Sequence, residues 1–142
     1  MKNHWNTIIF IFYSILVLTV SSIPKLSVPV PSPLISPDKL AHFGQYFVFA
    51  FLYYKFRISV IKNHNPNYSA NNSYRKDIYL EIFFLSFLIA IFDELHQRLI
   101  PGREFCWFDV LSDILGFHFF IFVSISYFKF IKKSPTPSLQ KD

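Results

Sequence analysis

The chain has 142 residues, of which 52% are hydrophobic, 20% aromatic and only 16% charged. A soluble domain carries about 25% charged residues, so this composition argues against an ordinary water-solvated globule and for lipid around much of the surface. The single Cys106 excludes an internal disulfide and a multi-cysteine metal site.

Four apolar segments follow one another along the chain. The first, residues 5–23, contains no charged residue. Lys2 ahead of it and Ser21-Ser22 near its end also suit a cleaved signal peptide, but three further apolar segments downstream favour a retained helix. A Pro-rich loop from Pro24 to Pro37 follows, expected to be extended and stiff. The second segment covers about 40–58 and leads into a polar, turn-rich connector around Asn63 to Ser73. The third covers about 78–95; its uninterrupted run from Ile82 to Phe92 is short, and a hairpin dipping into the membrane competes there with a full span. The fourth covers about 108–130, and residues 134–142 are expected to form a disordered cytoplasmic tail. A crossing needs about 20 mostly apolar residues, with ~17 tolerated. The expected fold is therefore all-α: one domain over residues 1–133, a polytopic membrane protein with four transmembrane helices in a compact bundle.

The positions of the basic residues set an orientation. Lys2, the second-loop residues Lys55, Arg57, Lys62, Arg75 and Lys76, and the tail residues Lys129, Lys132, Lys133 and Lys141 make ten on one side. Lys25, Lys39, Arg98 and Arg103 make four on the other. The positive-inside rule then puts both termini and the second loop in the cytoplasm. The net charge of +5 is explained by topology, and a nucleic-acid partner is not expected.

The remaining ionisable groups gather on the extracytoplasmic side. At the start of the second helix, Ser36 can cap, Pro37 suits the first helical position and Asp38 faces the positive end of the helix dipole. Lys39 is placed to snorkel, and His42 shares the face of Asp38 one turn deeper. Glu94 and Gln97 share a face at the end of the third helix, and Asp93 and Gln97 can do the same; His96 points away, toward another helix or headgroups. Pro101-Gly102 stops that helix and leaves Arg103 in the turn. There its guanidinium either pairs with Glu94, Glu104 or Asp109 or is offered to a phosphate or carboxylate. Asp109, Asp113 and Gly116 form one stripe on the fourth helix. The dipole accounts in part for Asp109. Asp113 lies a turn inside an apolar helix, where a carboxylate is a functional hypothesis, and Gly116 admits a close neighbour.

These elements resemble the VanZ-like family of small bacterial membrane proteins, named for a teicoplanin-resistance accessory protein. The resemblance rests on Asp38-Lys39-Leu40-Ala41-His42, then Glu94-Leu95-His96-Gln97, then Pro101-Gly102-Arg103, then Asp109-Val110-Leu111-Ser112-Asp113-Ile114-Leu115-Gly116. Order, spacing and span count agree; the departure is Asp113, where the family pattern usually has Asn. The resemblance implies a membrane-embedded site facing the cell envelope and a link to glycopeptide or cell-wall lipid biology.

The candidate ligand-binding set is Asp38, Lys39, His42, Glu94, Gln97, Arg103, Asp109, Asp113 and Gly116. In the first reading this set binds an envelope lipid headgroup or cell-wall precursor. In the second it belongs to an enzyme acting on a lipid-linked substrate, with His42, Glu94, Asp109 and Asp113 as catalytic candidates through acid–base work or a divalent metal. The third is proton-coupled transport through Asp113. The sequence assigns no metal site and names no cofactor, although a divalent ion is compatible with the His42 and carboxylate set.

Overall fold

The computed structural model describes residues 4–24, 36–65 and 72–133. Four helices make up the fold: α1 (Trp5–Ser21), α2 (Pro37–His64), α3 (Asn72–Gln97) and α4 (Trp107–Lys133), with no strand among the described residues. Most of the Pro-rich loop, residues 66–71 of the turn-rich connector and the 134–142 tail lie outside the described residues.

Local chemistry accounts for the helix ends. α2 begins at Pro37, whose missing N–H is no loss in the first turn, with Asp38 at the positive end of the dipole. Ser36 is extended (φ −107°, ψ 152°) but its hydroxyl makes no capping hydrogen bond, contrary to the sequence expectation. α3 is one continuous helix from Asn72 to Gln97, so no hairpin interrupts it. The chain then reverses through Gly102 at φ +80°, a backbone conformation that favours glycine. α2 has 28 residues and α3 has 26, both longer than their apolar stretches because the helices run on through polar residues at each end.

Among the described residues, one helix is long and apolar enough by itself to cross a membrane, over Trp107–Ile131 in α4; α1 is apolar but shorter. α2 and α3 carry charges within their length, Lys55 and Arg57 in one and Glu81, Asp93 and Glu94 in the other, which lowers their mean hydropathy.

α2 packs most extensively on α4, α3 also packs on α4, and α1 lies against α2. The core is aromatic and aliphatic: Val17, Tyr46, Phe49, Ala50, Ile78, Ile82, Phe117 and Phe120. Tyr46 stacks on Phe117 with centroids 5.3 Å apart, and Phe10 meets Phe49 edge-on at 5.3 Å. On the outside, Phe12, Phe84, Leu88, Phe122 and Phe130 are each at least 65% exposed. The interior, by contrast, holds Asp93, Glu94, Asp109, Asp113, His42 and Gln97. Apolar groups outside and carboxylates inside invert the usual arrangement of a soluble protein.

Candidate functional site

The buried polar residues converge at one end of the bundle. The end of α1 brings Ser21, the first turns of α2 bring Lys39 and His42, the end of α3 brings Asp93, Glu94 and Gln97, and the first turns of α4 bring Asp109 and Asp113. Helix starts and helix ends meet here because successive helices run in opposite directions. Gly116 sets how closely α2 and α4 approach, since a Cβ there would lie 3.0 Å from the Phe47 amide nitrogen and against the Phe43 carbonyl.

Each carboxylate has a distinct partner. Lys39 Nζ lies 3.0 Å from Asp109 Oδ1. Burial disfavours the charged form of this lysine, and the hydrogen-bonded Asp109 carboxylate outweighs that, holding the ammonium above its ordinary pKa. His42 Nδ1 lies 2.8 Å from Asp113 Oδ1. The contact needs one proton between the two atoms, and an ionised carboxylate, which only accepts, would leave it on Nδ1. Asp93 accepts from the Ser21 hydroxyl, and its Oδ2 accepts from Gln97 Nε2 at 2.9 Å. Glu94 Oε1 accepts from the Cys106 backbone N–H at 2.6 Å.

Two oxygens are left over. Glu94 Oε2 and Asp113 Oδ2 are buried with no hydrogen-bond partner among the described residues, and both residues are fully buried at 0% exposure. A buried polar atom without a partner costs about 1–3 kcal/mol, more when charged, so the pair marks a place where a proton, a donor or a cation belongs.

Two triplets place one ligand atom from each residue within 4.8 Å of the others: Asp38, His42 and Asp109, and His42, Asp93 and Asp113. All three members of the second are buried.

The sequence-derived candidates thus cluster, and one differs in its partner. Among the described residues Arg103 is in no ion pair with a carboxylate; its Nη1 donates to the Ser21 carbonyl at 2.7 Å and fastens the end of α1. Of the two pairings open to Gln97, the structure forms the one with Asp93. His96 turns away as expected, its Nε2 lying 2.9 Å from the hydroxyl of Ser22, the residue just past α1. The candidate set leaves out Asp93 and Ser21, which contact each other across 72 positions of chain. The four-residue spacing from Asp93 to Gln97 is the available signal for the former.

A family model described as VanZ/LLP1 matches residues 3–130. No curated protein and no solved structure matches the chain.

Proposed function

The chain belongs to the VanZ/LLP1 family, and on that premise we propose that it is a four-span protein of the bacterial cytoplasmic membrane with both termini inside. Its buried polar cluster faces the envelope and binds a lipid headgroup or cell-wall precursor. The apolar outer faces of all four helices and the carboxylates sealed between them support the four-span arrangement. The distribution of Lys and Arg supports the orientation.

The observation that carries the binding function is the pair of unpartnered oxygens, Glu94 Oε2 and Asp113 Oδ2. The two basic residues within the cluster are engaged, Lys39 by Asp109 and Arg103 by the Ser21 carbonyl. A bare phosphate would meet mostly negative charge here. The ligand therefore presents a charged N–H donor to the cluster, as the amine of a headgroup or precursor does, and its phosphate stays at the rim.

The test uses Trp107, which is 71% exposed two residues ahead of Asp109, as a reporter in a Trp5→Phe background. Short-chain phosphatidylethanolamine is expected to shift its fluorescence saturably, short-chain phosphatidylglycerol is not, and Glu94→Gln is expected to weaken the response. Identical titrations by the two lipids, or an unaltered response in Glu94→Gln, would contradict the proposal.

A further inference from the structure

We propose that the same cluster holds one divalent first-row transition-metal ion, bound by His42, Asp93 and Asp113. This rests on the reading of the cluster as a ligand site, and it names a resident ion that the headgroup reading alone does not require.

Geometry is the first support. One imidazole nitrogen and two carboxylate oxygens, each from a different helix, come within 4.8 Å of one another and are closed off from the surface. A metal with bonds of ~2.1 Å separates neighbouring ligand atoms by about 3 Å in an octahedron and spans about 4.2 Å across it. The 2.8 Å between His42 Nδ1 and Asp113 Oδ1 already matches the shorter separation. The ion takes the place of the proton that this contact otherwise needs.

The second support is independent of the first. Asp113 Oδ2 is an acceptor with no hydrogen-bond partner among the described residues on a residue with 0% exposure, and Glu94 Oε2 is another in the same region. Four buried carboxylates, Asp93, Glu94, Asp109 and Asp113, face His42 and the lysine that Asp109 already engages. Negative charge is in surplus, and a dication relieves it where a phosphate would add to it.

The outer partners fit as well. Ligating carboxylates are usually themselves hydrogen-bonded, which fixes their orientation. Asp93 has the Ser21 hydroxyl on one oxygen and Gln97 on the other, with the Tyr46 hydroxyl also bonded to it, and of its roughly four acceptor positions one is left to ligate. The alternative triplet of Asp38, His42 and Asp109 is less suited, because the Lys39 ammonium already supplies a cation to Asp109. One imidazole with carboxylates and no thiolate favours Mn²⁺ or Zn²⁺ over Cu⁺ or Ca²⁺.

The experiment uses the full chain, purified in detergent with a tag free of histidine, stripped with chelator and titrated with MnCl₂ or ZnCl₂. One ion per chain and a raised melting temperature are expected. Asp113→Asn and Asp93→Asn are each expected to weaken binding by at least tenfold. Both keep a hydrogen-bond acceptor, and helical content by circular dichroism confirms that they fold. His42→Gln is the third arm and separates the buried site from surface histidines. No stoichiometric binding, or affinity unchanged in all three variants, overturns the proposal. The two inferences separate cleanly: a chelator-stripped protein that still responds to phosphatidylethanolamine but binds no metal sinks this one alone. Metal binding without any headgroup response sinks only the other.

Discussion

Gly116 of α4 rests directly against the backbone of Phe43 in α2, and this contact is what lets the adjacent His42 reach Asp113 one turn earlier on α4. A methyl group at Gly116 would have to displace backbone rather than a flexible side chain, 3.0 Å from the Phe47 nitrogen. Gly116→Ala is expected to lower stability by about 1–3 kcal/mol, despite a helix-propensity gain of about 1 kcal/mol. A methyl added at Gly44, on α2, would meet nothing within 4 Å, so Gly44→Ala is expected to be neutral or mildly stabilising. Thermal melts of the two variants in detergent make the comparison; equal effects would mean the α2–α4 contact is wrongly placed.

The His42–Asp113 pair carries a second expectation. Asp113→Asn keeps an oxygen to accept from His42, removes one buried negative charge and puts an NH₂ donor among the neighbouring carboxylates. Its melting temperature in the absence of metal is expected at or above that of the parent chain. His42→Ala leaves both Asp113 oxygens without partners, which costs at least about 1–3 kcal/mol. The opposite ranking of these two variants would argue against the geometry.

Far from this cluster, Arg57 binds Glu81 through two hydrogen bonds, Nε to Oε2 at 2.6 Å and Nη2 to Oε1 at 2.5 Å, with the Tyr53 hydroxyl donating to Oε2 at 3.0 Å. The paired fork fixes the register of α2 against α3. Glu81→Ala is expected to lower stability by about 1.5–3 kcal/mol, and Arg57→Ala by a similar amount. The double variant is expected to lose less than the sum, since neither charge is then left alone. A double-mutant cycle by chemical or thermal unfolding reads the coupling, and strict additivity would remove the pair's structural role.

Arg103 is expected to act on the fold and not on the ligand. Arg103→Gln removes the hydrogen bond to the Ser21 carbonyl, at a cost of about 1 kcal/mol, and should speed amide exchange around Ser22 and Ile23. The phosphatidylethanolamine titration should be unaltered apart from any loss of folded protein. A large loss of headgroup affinity with unchanged exchange would return Arg103 to the ligand.

Much of this arrangement is legible in the chain. The apolar segments locate four helices because an apolar run needs no tertiary context to be recognised, and the spacing of Asp109, Asp113 and Gly116 places them on one helix face. Partners across helices are harder to read. Arg103 is expected near carboxylates because they are close in sequence, yet it finds a main-chain carbonyl 82 positions away. Ser21 reads as part of a cleavage signal, and only the packing of α1 against the end of α3 turns it toward Asp93. Ser36 fits a capping rule but makes no cap bond, and nothing in the structure explains why.

Orientation is the premise on which an envelope-facing site depends, and cysteine accessibility in intact cells measures it most directly. In a Cys106→Ser background, Glu104→Cys lies in the loop beside the buried cluster and His64→Cys at the far end of α2, both at exposed positions. A membrane-impermeant maleimide is expected to label Glu104→Cys in intact cells and His64→Cys only after permeabilisation. Labelling in the reverse pattern, or of both positions from the same side, would contradict the account.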